Sequence, residues 1–115
     1  MPNFEVWDTV KVPFPYTDRP IRQRRPALVV AAGNLLAEHG LLWLAMITSA
    51  ANRGWPGDVP VLDLEAAGLP IPSIIRVAKI ATIEARDAEK LGVVAQADRA
   101  GVAQYLNRVL GAALG

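Results

Sequence analysis

Apolar and polar positions fall in short runs over the first two-thirds of the chain and then change period. Residues 9–12 (TVKV) alternate and stop at Pro13, which predicts a short strand. Residues 26–32 (PALVVAA) and 41–47 (LLWLAMI) are continuous apolar runs bounded by Pro and Gly, the pattern of buried strands. Within the second run Trp43 is expected in the core. Residues 58–62 (DVPVL) predict a strand that Pro60 confines to an edge or a bulge. Residues 63–72 (DLEAAGLPIP) predict a turn of helix closed by Gly68 and Pro70. Residues 73–77 (SIIRV) and 79–83 (KIATI) predict two further short strands. Too little chain separates the strands for helical crossovers, so the pairing is expected to be antiparallel.

The C-terminal end has a different period. Residues 87–91 (DAEKL) predict a short helix stopped by Gly92. From about Asp98 to Leu114, Val102, Leu106, Val109, Leu110 and Ala113 recur at spacings of three and four, which marks one helix face. Asp98 or Gln96 is its expected N-cap. Six short strands and one terminal helix predict a mostly β, α+β chain: a small, partly open, largely antiparallel barrel. The 115 residues fit one domain spanning 1–115.

Composition narrows the chemistry. There is no Cys, which removes disulfides and thiolate sites, and one His, His39, placed in a polar turn at the surface. Scattered carboxylates show no ligand spacing, so neither a metal nor a cofactor is expected. The start, MPNFE, lacks a basic segment followed by an apolar one, and no apolar run reaches the roughly 18 residues of a membrane span. No signal peptide or membrane partner is therefore expected, and the lack of Cys is compatible with the cytoplasm. The net charge of +1 hides an asymmetry. Between positions 11 and 25, Lys11, Arg19, Arg22, Arg24 and Arg25 face Asp18 alone, a net of +4, so the remainder sums to −3. Pro13, Pro15 and Pro20 punctuate the same stretch. An Arg-rich, Pro-rich loop on a slightly acidic domain fits either a local anion site or a solvated loop.

Five segments, in order, carry a further resemblance: VKVPFPYTD at 10–18, RRPALVV at 24–30, AMITS at 45–49, GLPIPSIIRVAK at 68–79, and Leu91-Gly92 before the final helix. Their order and spacing resemble the MazF/PemK toxins of type II toxin–antitoxin systems over roughly residues 6–111. The resemblance implies an SH3-like barrel with a terminal helix, usually a homodimer in the cytoplasm. It implies metal-independent, sequence-selective cleavage of single-stranded RNA, leaving a 2′,3′-cyclic phosphate and a 5′-hydroxyl. It also implies an antitoxin partner that occupies the RNA groove.

Two residues match the family's catalytic positions: Arg25, immediately before the Pro of the second strand, and Thr48, which closes the third. On the residues alone, Arg25 reads as a strand-start Arg covering apolar surface, and Thr48 as a residue satisfying a turn. The resemblance reverses that preference. A guanidinium offers a planar fork to two phosphate oxygens, and a hydroxyl donates to phosphate or orients the 2′-hydroxyl. Arg25 stays protonated, which does not suit a resting base. The expected RNA-binding set is Arg22, Arg24, Tyr16, Ser49, Arg53, Trp55 and Arg76, of which Arg76 matches an Arg that some members place near the RNA groove. Arg22 and Arg24 steer phosphate or are solvated, whereas Phe14 anchors its loop. Tyr16 and Trp55 stack on a base or pack back on the domain.

The chain departs from the family in two places. Some members carry Asp two residues after the Arg matched by Arg76, but Ala78 stands here, so that carboxylate has no counterpart as a base. The usual Gly before the first strand is Trp7, which lacks glycine's access to positive φ, so a different entry turn is expected. The competing function is a non-catalytic or degenerate toxin-fold module that binds an antitoxin or another protein such as gyrase.

Overall fold

The computed structural model describes residues 3–13 and 23–114. The described residues form six strands, five of them on the apolar runs: β1 (Asp8–Pro13), β2 (Arg24–Ala31), β3 (Leu41–Ser49), β4 (Asp58–Pro60), β5 (Ser73–Glu84) and β6 (Glu89–Val93). They form one sheet in the order β4-β5-β3-β2-β1-β6. Every pair is antiparallel, as the short connections require. The described residues also form three α-helices: α1 (Gly33–His39), α2 (Leu64–Ala67) and α3 (Ala100–Leu114).

The continuous apolar runs exist because both faces of the central strands are covered. Val10, Val12, Ala27, Val29, Leu42, Leu44 and Met46 build one core, capped by Phe4 and Leu36. The intervening Leu28, Ala45 and Ile47 join Ile75, Val77, Leu69 and Val102 in a second core on the opposite face. Trp43 belongs by alternation to this second face. It lies beyond the cover there and is 44% exposed, so its expected place in the core is corrected.

The two strands expected at 73–77 and 79–83 are one strand, β5, broken by a bulge. Ile80 lies opposite Ala45, while Arg76 lies opposite Met46, the next residue of β3. Residues 77–79, with Ala78 in the middle, are therefore the extra ones. The expected helix at 87–91 is also corrected: a 3-10 turn at Ala85–Asp87 leads into β6, where Lys90 pairs with Val10 and Glu89 with Lys11. Residues 89–93 instead fill the otherwise free edge of β1, whose ladder hydrogen bonds outweigh the local helix preference. A seven-residue helix, α1, was not foreseen between β2 and β3, and His39 sits exposed in its last turn.

The C-terminal helix starts at Ala100, and neither Asp98 nor Gln96 caps it; both lie in the 3-10 turn Gln96–Asp98. The buried Asp98 carboxylate instead accepts from the N–H groups of Leu62 (3.1 Å) and Asp63 (2.9 Å), pinning the β4–α2 connection. The helix buries Val102 and packs Leu106, while Val109 and Leu110 stay half-exposed. Trp7 does take positive φ, at 83°, so the expectation of a different entry turn is corrected. Its N–H donates to Val29 O and its carbonyl accepts from Val94 N, so both neighbouring segments hold the residue in place. Arg99 stacks on its ring, 5.2 Å from the centroid, and supports the same conformation.

The helical turn α2 ends at Gly68, in the left-handed conformation at φ 69°, and packs against β6. Gly92 of β6 faces this turn so closely that a Cβ would strike the backbone of Ala66 and Ala67. Gly92→Ala is therefore expected to lower unfolding stability by about 1–3 kcal/mol, the usual cost of overpacking, as read by urea titration.

Candidate active site

The site forms where β2 begins and β3 ends. The β2–β3 register pairs Ala27 with Met46. Continued two residues outward, it sets Arg25 across from Thr48, on the same face. The same face holds Arg76, opposite Met46 on β5, and Asp58, opposite Arg76 on β4. Four polar residues from four strands thus continue the row begun by the first core. Beside them opens a pocket of about 460 Å³, lined on its polar side by Lys11, Arg25, Thr48, Ser49, Asn52 and Ser73. Leu69, Pro70, Ile71 and Leu91 supply the apolar side. No carboxylate or imidazole of the described residues lines it, whereas two cations do, so the pocket suits an anion.

Arg25 is half-buried, and its Nη2 donates to Gln23 Oε1 at 3.0 Å. Thr48 is buried and its Oγ1 accepts from Asn52 Nδ2 at 3.0 Å. Ser49 Oγ accepts from Ala51 N and so starts the 3-10 turn Ala50–Asn52 that carries Asn52 back over Thr48. Asn52 is a residue that sequence reasoning missed. A single Asn four residues beyond Thr48 gives no signal until the turn is known.

Arg76 is placed differently from the groove position expected of it. Only 9% of its side chain is exposed. Its Nε and Nη2 grip both Asp58 oxygens, at 3.2 and 3.1 Å, and Nη2 also donates to the backbone carbonyl of Asn52 at 2.6 Å. This fork-to-fork geometry is the strong form of the Arg–carboxylate pair. Trp55 covers the guanidinium at 4.3 Å and remains 48% exposed. Asp58 further accepts from the N–H groups of Gly54 and Trp55, which folds the loop between β3 and β4 around its carboxylate. Burial opposes ionisation of Asp58, but the Arg76 hydrogen bond, the two backbone N–H groups and the Arg76 charge outweigh it. Its pKa is held below the ordinary value of 3.8.

Arg24, one residue before Arg25, points away from the pocket. It donates to the carbonyls of Lys11 and Asp87 and sits 3.8 Å from Glu89, tying β2 to the β1–β6 edge. The place expected for it among phosphate-facing residues is thus taken by contacts within the domain. Arg53 lies exposed in the loop beside Trp55. Tyr16 and Arg22, together with Phe14, lie outside the described residues. Ala78 is exposed in the β5 bulge.

A family model matches residues 5–110, described as the PemK-like, MazF-like toxin of type II toxin–antitoxin systems. The chain belongs to this toxin family. Among similar solved structures is MazF from Deinococcus radiodurans, 25% identical, with a TM-score of 0.72 over 93% of this chain and 96% of that one. A MazE–MazF structure from the same organism, also 25% identical, gives 0.69 over 93% and 94%. The Mycobacterium tuberculosis toxin MazF-mt6 is 19% identical, with a TM-score of 0.66 over 89% and 95%, and supports the fold. No curated protein sequence matches the chain significantly. Among the described residues of this MazF/PemK-family toxin, no helix is long and apolar enough to cross a membrane.

Two measurements test the buried pair. Arg76→Ala leaves Asp58 buried without its cation and is expected to cost about 3–5 kcal/mol in urea unfolding. The depressed pKa of Asp58 gives a stabilisation that is full above the ordinary value of 3.8 and is lost as pH falls through the lower folded value. Asp58→Asn is expected to lack that component, so its stability should fall less than that of the wild type between pH 5 and 2.

Proposed function

We propose that this chain is the endoribonuclease of its toxin–antitoxin module, cutting single-stranded RNA at the pocket between Arg25 and Thr48. The observation that carries it is that these two residues, distant in sequence, line one pocket where β2 begins and β3 ends, with two cations and no carboxylate among its described lining residues. The reaction is an internal displacement. The 2′-oxygen attacks phosphorus, the bond to the 5′-oxygen breaks, and a 2′,3′-cyclic phosphate and a 5′-hydroxyl result. The 2′-proton passes to water, and the 5′-oxygen takes up a proton as it leaves. Charge builds on the phosphorane oxygens and then on the 5′-oxygen.

Arg25 meets that charge with fixed N–H donors, and Lys11 adds a second cation on the same wall. Thr48, whose oxygen already accepts from Asn52, donates its proton to a phosphate oxygen. Charge stabilisation thus comes from the chain's own cations, with no metal. Trp55, with nearly half its surface exposed beside Arg53, offers a stacking platform for an unpaired base. Ser49 at the rim adds a hydroxyl.

A cytoplasmic setting, where RNA and a cognate antitoxin are both present, and a homodimer belong to the same proposal. One similar structure, 16% identical, is an endoribonuclease in complex with its cognate antitoxin from a mycobacterial species.

Incubation of a long single-stranded RNA with the protein in excess EDTA tests the proposal. Cuts at a few short sites, ending in cyclic phosphate, are expected. Arg25→Ala should lower the cleavage rate about 10²–10³-fold while the domain stays folded. A folded wild type that cuts nothing would reverse the proposal in favour of a module that binds an antitoxin or another protein without catalysis.

A further inference from the structure

On the endoribonuclease reading above, we propose that Asn52 is a positioning residue that acts through Thr48. The Arg76–Asp58 pair would fix the turn from which Asn52 reaches it. Four contacts carry this. Asp58 holds Arg76 through both carboxylate oxygens, Arg76 Nη2 holds the Asn52 carbonyl, and Asn52 Nδ2 donates to Thr48 Oγ1. The fourth, Ser49 Oγ accepting from Ala51 N, closes the turn from its other end.

The chemistry of the hydroxyl explains what this achieves. A threonine hydroxyl has one proton to give and two lone pairs to fill. With no partner it rotates and accepts or donates as neighbours allow. A donor fixed at 3.0 Å occupies a lone pair and leaves the proton for a group on the pocket side. The amide of Asn52 thus converts Thr48 from an ambivalent group into a donor aimed at an anion.

The backbone and side chain of Asn52 have separate tasks. Its carbonyl is the anchor on Arg76, and its amide is the contact to Thr48. Asn52 is itself exposed in the turn, so Asn52→Ala removes the amide while the anchor and the buried pair remain. The variant therefore separates positioning from folding, which no substitution of Arg76 or Asp58 does.

A double-mutant cycle over Asn52→Ala and Thr48→Ala, read by single-turnover RNA cleavage, tests the assignment. Asn52→Ala alone should slow cleavage about 10–100-fold at saturating enzyme with little change in the half-saturating concentration, the mark of misplacement rather than lost binding. In the Thr48→Ala background the same change should have almost no further effect. Multiplying losses, an Asn52→Ala protein with wild-type rate, or a fully active Thr48→Ala protein would each overturn the proposal. The side-chain order parameter of the Thr48 methyl group gives a second readout that needs no activity. It should be high in the wild type and drop in Asn52→Ala, and an unchanged value would overturn the proposal. Should the wild type cut no RNA, the endoribonuclease reading alone fails, and the methyl measurement still decides whether Asn52 holds Thr48.

Discussion

Residues 77–79 of β5 stand opposite no residue of β3, and because three is odd, every side chain before the bulge is moved to the other face of the sheet. Without it, the register that pairs Ile80 with Ala45 would run on and set Arg76 opposite Ser49, on the wrong face for Asp58 and Thr48. With it, Ile83 packs in the first core while Ile75 and Val77 pack in the second, although all three positions are odd. The same shift brings Arg76 onto the row that contains Arg25 and Thr48. The polar site is thus a consequence of where the sheet changes register.

Around that row the cations divide into two kinds. Arg76 is spent inside the protein, on Asp58, on the Asn52 carbonyl and under the Trp55 ring. Arg24 is spent on the β1–β6 edge. Arg25, which donates to Gln23, and Lys11 line the pocket, and no carboxylate of the described residues lines it with them. Alternation sets the adjacent Arg24 and Arg25 on opposite faces of β2, and the contacts of Arg24 with Lys11, Asp87 and Glu89 hold it at the edge of the sheet.

Much of this was legible in the sequence. The apolar runs at 26–32 and 41–47, the edge strand with Pro60 and the terminal helix face all came from periodicity, and the structure has them. Short elements were the weak point. DAEKL reads as a helix by propensity, yet an unpaired β1 edge decides it as a strand. Asp98 reads as a cap, yet two N–H groups 35 and 36 residues away claim its carboxylate. Trp43 shows that an apolar run defines a strand without saying how far each face is covered. Trp7 shows that a positive φ is decided by hydrogen bonds on both sides as well as by the residue type. Of the candidate site, Arg25 and Thr48 were singled out through the family resemblance, since on the residues alone they read as a strand-start Arg and a turn Thr. Asn52 and Asp58 were not, because what they do depends on a turn and a bulge that no local pattern announces.

The buried Arg76–Asp58 pair raises the question of why a small sheet should keep a charge pair where two apolar side chains would also pack. Such pairs add little net stability, since desolvating both ions offsets most of their attraction. Their effect here is better sought in geometry. An apolar residue at position 76 would fill the same space but would leave the Asn52 carbonyl without a donor and Asp58 with only the loop N–H groups. The turn that holds Asn52 against Thr48 would then keep the Ser49 contact and its own backbone hydrogen bonds but lose its tie to the buried pair. A guanidinium can satisfy a carboxylate, a carbonyl and an aromatic face at once, and this one does all three. The pair is explained by the loop it organises, and that loop is where the sheet meets the pocket.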